Sequence, residues 1–408
     1  MPKNWKTYRL EDIVDQERGI SYGIVQPGTH DPKGVPILKI NNLTNKSFNI
    51  NDLHFASPSV EEKYLRTRLK GGELLLSLVG SLGEVFSVPV AMKGLNVVRA
   101  LAVIPVLSDF SPKWVEYWLK SPFAQNLLNQ IATTSVQATI NLKELRKIEI
   151  PFPEKKERET IASILSALDD KIYLNLQMNK TLEEMALALY KHWFVDFGPF
   201  QNGEFVESEL GMIPKGWEVK RLEEFAKLEM GQSPKSEFYN EQKEGLPFHQ
   251  GVTGYGDRFP KDTIYSTSGN RKANLGDILF SVRAPVGRIN IAKNKIILGR
   301  GLSAMHMRGY NNFLFYALKK MFTSEDVIGS GTVFNSVNKT DLQNMEFIIP
   351  DDEVLISFKN LVFPLDEQYL ANYNEIQTLT TLRDTILPKL ISGEVRVKDI
   401  KQTIAQVL

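Results

Sequence analysis

Two stretches of the chain carry mostly apolar residues at positions spaced in an unbroken alternation of four and three. Ile161, Leu165, Leu168, Ile172, Asn175, Asn179, Leu182, Ala186, Leu189 and Trp193 form the first. Phe358, Val362, Leu365, Tyr369, Asn372, Ile376, Leu379, Arg383, Ile386 and Leu390 form the second. This spacing predicts two long helices, each with a coiled-coil seam several heptads long. Pro151 and Pro153 precede the first and Gly198 and Pro199 follow it; Pro350 precedes the second, with Pro388 and Gly393 near its end. The two seams are expected to pair with each other, homodimerisation through either being the alternative, and Asn175 and Asn372 in the seams to fix a register. A helix of about 37 residues at 1.5 Å rise is roughly 55 Å long, enough to act as a ruler that holds two domains apart.

Elsewhere the pattern is of short apolar runs between Gly, Asn and Pro turns. VPILKI at 35–40, ELLLSLV at 73–79, VVRALAVIPV at 97–106 and KIEIPFP at 147–153 read as strands, and ILFSV, INIA, IILG and MEFIIP take those roles later in the chain. SPKWVEYWLKSPFAQNLLNQI reads as helical, with Pro112 at a helix start. The spacing of Trp114, Tyr117, Trp118 and Phe123 favours a core over a ligand platform.

These patterns occur twice. Trp5, Arg9, Leu10 and Ile13 return as Trp217, Arg221, Leu222 and Phe225. GGELLLSLVGSLGEV from Gly71 is echoed by LGDILFSVRAPVGRI from Leu275, and Leu168, Asp169, Asn175, Thr181 and Leu182 by Leu365, Asp366, Asn372, Thr378 and Leu379. A repeat of this length is a duplicated domain plus spacer. The expected fold class is α+β. Two mixed α/β heads, 1–153 and 201–350, alternate with helical regions 154–200 and 351–408, and a pseudo-twofold repeat relates the halves.

Charge sharpens this picture only when divided along the chain. The net charge is +1, yet 1–150 carries +4 and 201–350 carries +2, against −2 for 151–200 and −3 for 351–408. Within the second head, 257–308 holds ten basic residues and three acidic ones. Basic heads on acidic helices suit a DNA reader, because phosphate contact supplies most of the affinity; solvated surface is the plainer alternative.

Catalytic constellations are missing. No Gly-Lys dipeptide exists, so there is no Walker A loop, and the Asn/Asp-Pro-Pro-aromatic signature of amino-methyltransferases is also absent. GSGT at 329–332 reads as a tight turn, because VFNSVN after it is not a helix start. The five histidines are scattered without metal spacing, and there are no cysteines. MPKNWKTYRL lacks the apolar core of an export signal and no run reaches the length of a membrane span, so the expected location is the cytoplasm.

TIASILSALDDKIYLNLQMNKTLEEMALALYKHWFVDF at 160–197 resembles the central conserved region of the specificity subunits of type I restriction-modification systems. SVQATINLKELRKIEIPFP before it resembles the close of a target-recognition domain. GMIPKGWEVKRLEEFAKLEMGQSP and LGDILFSVRAPVGRINIA resemble parts of the second such domain. The resemblance covers essentially the whole chain. It implies a protein without intrinsic chemistry, whose two heads each read half of a bipartite double-stranded DNA target and whose helices set the spacer. It also implies two modification (methyltransferase) subunits as partners, bound by the helices and adjoining surface, and restriction subunits with them. S-adenosylmethionine, ATP and Mg would belong to those partners, leaving no cofactor on this chain. A coiled-coil scaffold that reads no DNA sequence is the competing expectation.

For DNA contact the candidates are the Arg, Lys, Asn, Gln and Tyr residues of basic segments. In the first head these are Lys39, Asn41, Asn42, Arg66, Arg68, Lys70 and Arg99. In the second they are Gln250, Tyr255, Arg258, Arg271, Lys272, Arg283 and Arg288. Positions that differ between heads discriminate better than shared ones, which favours Arg283 (against Val79) and Arg288 (against Glu84) over the matched pair Arg99 and Arg300. Trp193, Phe194 and Phe197 close the first helix with more aromatic surface than a seam can bury. They are expected to bind a partner subunit or, alternatively, to pack on the neighbouring head.

Overall fold

The computed structural model describes residues 2, 4–44, 49–133, 138–322, 327–328, 332–333 and 336–400. The GSGT turn falls largely outside them. Two compact units divide the chain, one holding 1–175 with 374–408 and the other 176–373. Each combines a head with parts of both long helices, Lys155–Phe194 and Asp352–Ser392.

The first head has a four-stranded antiparallel sheet in the order Ser21–Tyr22, Leu101–Ile104, Leu74–Ser77, Val85–Ser87. The apolar runs Leu74–Ser77 and Leu101–Ile104 are wholly buried, as expected where both sheet faces are covered. A smaller sheet places Val35–Leu38 between His54–Ala56 and Asn96–Val97. Lys6–Arg9 pairs with Glu149–Phe152, so the start and end of the head close on each other.

The second head repeats this plan. Its four-stranded sheet runs Lys227–Met230, Leu302–His306, Ile278–Ser281, Ile289–Ile291. Glu218–Arg221 pairs with Glu346–Ile349, as the equivalent strands do in the first head. Trp114, Tyr117 and Trp118 are core, and Tyr316, Phe313 and Phe315 fill the matching helix of the second head. Phe123, at 59% exposure, lies outside the core expected for it.

In each unit the long helices meet antiparallel along the heptad seam. Within the first unit Arg396 binds Glu157, Arg383 binds Asp169 at 2.8 Å, and Lys171 binds Glu375 at 3.2 Å. Within the second, Asn372 donates to Asn179 at 2.9 Å and Phe358 packs on Phe194. The seam asparagines therefore pair unequally: Asn372 meets Asn179, whereas Asn175 donates to Glu375 at 2.8 Å. All three asparagines are buried, and their paired amides favour this alignment over slipped ones. Pro364 and Pro388 lie inside the second helix, where each removes one backbone donor. Gly393, at φ +74°, ends it. Among the described residues no helix is long and apolar enough to cross a membrane.

Candidate nucleic-acid interface

In the second head, strands Leu246–His249 and Ile296–Leu298 run parallel, aligning Phe248 with Ile297 and His249 with Leu298. Their carboxyl ends therefore open at one edge, the usual place for a ligand on a sheet with parallel strands. Gln250 and Arg300 emerge there, both exposed. The backbone stays bonded beyond the strands: Gly299 N–H donates to the His249 carbonyl at 2.8 Å and Gly301 N–H to that of Gln250 at 3.1 Å. Glycine is required for this approach, since a Cβ on Gly299 would stand 2.5 Å from Gln250 Cα.

Two further segments reach the same edge. Gln232 N–H donates to the Leu298 carbonyl at 3.0 Å, which brings in Ser233, and Val282 N–H donates to the Gly301 carbonyl at 2.9 Å, which brings in Arg283. Ser233, Gln250, Arg283 and Arg300 thus converge from four separate stretches of chain. A cleft of about 730 Å³ opens beside Ser233, Gln250 and Arg300. Tyr239 and Phe248, stacked with centroids 4.6 Å apart, line it. His249 lies at its base with Nε2 2.8 Å from Asp262. Burial pushes the Asp262 carboxyl up, but His249, Asn294 and Lys293 outweigh it and hold the group below the ordinary carboxylate range.

The first head builds the same edge. Val35–Leu38 and Asn96–Val97 run parallel with Leu38 opposite Val97, and exposed Lys39 and Arg99 follow them. Ile24 N–H donates to the Val97 carbonyl at 2.7 Å and Leu78 N–H to that of Ala100 at 2.8 Å. These registers equate Lys39 with Gln250, Arg99 with Arg300, Val25 with Ser233 and Val79 with Arg283.

The remaining candidates are dispersed. Arg66, Lys70, Arg271, Lys272 and Arg288 are exposed; Arg271 also binds Glu229 at 2.8 Å. Asn41 is exposed, while Asn42 caps its own turn by accepting from Lys39 N–H at 2.8 Å. Arg68 makes a two-pronged ion pair with buried Glu61. That hydrogen bond, reinforced by Asn96, outweighs desolvation and holds the Glu61 carboxyl below its ordinary value. The Tyr255 hydroxyl is buried, which pushes its titration up and removes it from the edge.

Two further expectations are corrected. Arg258 is 4% exposed, its guanidinium bound to Asp366 and lying over Phe315 and Tyr369. It belongs to the core because its charge has an internal partner. Phe194 is also core, packed on Trp217, Phe313 and Phe358, so the head-packing alternative describes it. Trp193 and Phe197 are half-buried in the same aromatic cluster. Conversely, Ser233 and His249 were not legible as site residues; the signal for Ser233 lay in the Gly23 and Gly231 turns, equivalent in the two heads and each pressed on a backbone carbonyl.

The pattern defining the type I restriction modification DNA specificity domain matches residues 2–184 and again 214–355. The MjaX type I restriction enzyme specificity subunit of Methanocaldococcus jannaschii is 30% identical over 98% of this chain and 95% of its own length. The MjaIX specificity subunit of the same organism is 29% identical over the same shares. In fold, the chain is similar to the S subunit of a type I restriction-modification system from M. genitalium, at a TM-score of 0.57 and 17% identity over 96% of this chain and 97% of that one. This chain belongs to the family of type I restriction-modification specificity subunits.

Proposed function

We propose that this chain selects the DNA sites of a type I modification complex by reading a two-part duplex sequence, one part with each head. The observation that carries this is the duplicated edge: two heads share one scaffold yet present different side chains, Lys39 and Val79 in one, Gln250 and Arg283 in the other. Base edges are distinguished by side chains of these types, and the Lys and Arg around them hold phosphates. The chain acts in the cytoplasm as a recognition subunit without chemistry of its own. Two modification subunits dock on the helices and adjoining surface, restriction subunits join them, and S-adenosylmethionine, ATP and Mg are bound by those partners.

Long-read methylation sequencing of cells expressing this chain with its modification subunit tests the proposal. A methylated, asymmetric, two-part motif is expected, absent from cells lacking the chain. A stable complex that leaves no motif would favour a coiled-coil scaffold instead.

Arg283 provides a sharper prediction. Arg283→Ala lowers affinity for the specific site by about 1–3 kcal/mol and for random DNA by less. Binding titrations on both DNAs check it; equal losses would make Arg283 a phosphate contact.

A further inference from the structure

We propose that Gln250 reads the edge of an adenine in the half-site of the second head, and that Ser233 is the positioning residue that holds its amide in the reading orientation. This rests on the DNA-reading role proposed above and assigns it to one side chain. Arg300 N–H donates to Ser233 Oγ at 3.1 Å, and Ser233 Oγ lies 2.7 Å from Gln250 Oε1. A hydroxyl that accepts from the backbone has one hydrogen to give, and it goes to the Gln250 oxygen. This bond favours the amide orientation that turns Oε1 towards Ser233 and Nε2 away from it. One lone pair of Oε1 and both Nε2 hydrogens remain, the set that pairs with the N6 donor and N7 acceptor of adenine.

The backbone beneath is equally fixed. Gly301 bonds to the Gln250 carbonyl, and a Cβ on Gly301 would lie 2.6 Å from that oxygen. An oriented, exposed amide on a clamped backbone is organised before any ligand arrives.

A second observation comes from the other head. Lys39 occupies the position of Gln250, and Val25, 45% exposed, occupies that of Ser233. An ammonium has three equivalent donors and no end to orient. The hydroxyl is thus present only in the head whose reader has two distinguishable ends. Lys39 in turn suits the paired acceptors O6 and N7 of guanine.

The test uses the full chain in its complex with modification subunits and reads methylation motifs in cells. Gln250→Glu replaces the donor end with a second acceptor, suited to the N4 donor of cytosine. It is expected to change one base of one half-site from adenine towards cytosine, leaving the other half-site and the spacer unaltered. Gln250→Ala relaxes that same base, raising methylation of mismatched sites relative to the parent motif by roughly 5- to 150-fold. Ser233→Ala relaxes it by a smaller factor, and Ser233→Thr, which keeps the hydroxyl, restores the parent motif. An unchanged motif in Gln250→Glu and Gln250→Ala overturns the assignment, as does uniform loss of methylation by both with the complex assembled. If the parent chain directs no motif at all, the DNA-reading role itself fails.

Discussion

Asp366→Ala destabilises the second unit by about 3–5 kcal/mol, the loss that follows when one partner of a buried ion pair is removed. The Asp366 carboxylate accepts from Arg258, from the Tyr316 hydroxyl at 2.6 Å and from Asn312. Burial alone would weaken the charge on Arg258, but Asp366 and Tyr316 more than restore it and hold its titration above the ordinary arginine value. Without the carboxylate, a guanidinium 4% exposed is left among Phe315, Tyr316 and Tyr369 without its hydrogen-bonded anion. Arg258→Met is expected to cost less, because it keeps volume against the rings and leaves behind the more exposed Asp366 carboxylate, still bonded to Tyr316 and Asn312. Denaturant titrations of both variants, with hydrogen exchange in the 311–321 helix as the local probe, check this. A loss under about 1 kcal/mol for Asp366→Ala would mean that the pair is solvated and behaves as a surface contact.

The repeat makes this clasp informative. Asp169 is the counterpart of Asp366, and within its own unit it accepts from the Tyr117 hydroxyl and from Arg383, both at 2.8 Å. Tyr117 and Tyr316 stand on equivalent helices of the heads, so each unit fastens its head to a long helix by a tyrosine–aspartate bond. The arginines come from different elements. Arg383 belongs to the opposing long helix, whereas its counterpart 197 residues earlier is Ala186, and the second unit supplies Arg258 from the head instead.

This is also where sequence patterns lose their reach. Heptads, buried strand runs and the duplication are local or periodic signals, and the strands and long helices follow them. The two basic residues just compared look alike in a charge count, yet one is core and the other lies in a seam. Arg258 finds its partner 108 residues away, and Asn175 finds Glu375 200 residues away. Partners so distant are chosen by packing, and no period of 3.5 or 2 encodes them. Phe194 shows the converse: excess aromatic surface at a helix end was legible, but not that Trp217, Phe313 and Phe358 cover it. The proposed recognition edge stands between these cases. Lys39, Arg99, Gln250 and Arg283 were visible as chemistry, while their grouping depends on parallel strand pairs and on glycines that allow three segments to touch.

In the first unit the corresponding vulnerable point is Glu73, and Glu73→Ala is expected to cost about 3–5 kcal/mol as well. Glu73 is 3% exposed and Arg18 is 8% exposed, with Arg18 Nη1 2.6 Å from the carboxylate. The same carboxylate accepts the N–H groups of Lys70 and Gly71 at 2.7 and 2.8 Å, while Arg18 donates to the carbonyls of Arg66 and Arg68. One ion pair therefore holds the whole stretch that carries Arg66, Arg68 and Lys70, and DNA affinity should fall with stability if those residues hold phosphates. The pH dependence separates this charge effect from simple loss of packing. Burial pushes the Glu73 carboxyl up, but Arg18 and the backbone N–H groups pull harder and leave it below its ordinary value of 4.5. A carboxyl with a lower pKa folded than unfolded contributes its full stability above the unfolded value and loses it as pH falls through the folded one. The gap between parent and Glu73→Ala should thus be constant near neutrality and narrow below about pH 4.5. Glu61 and Glu116 in the same unit are shifted the same way, so the parent itself is expected to weaken in acid. Denaturation series from pH 7 to about pH 3.5 decide the matter: a gap that stays constant throughout would show that Glu73 acts by volume alone, without its charge.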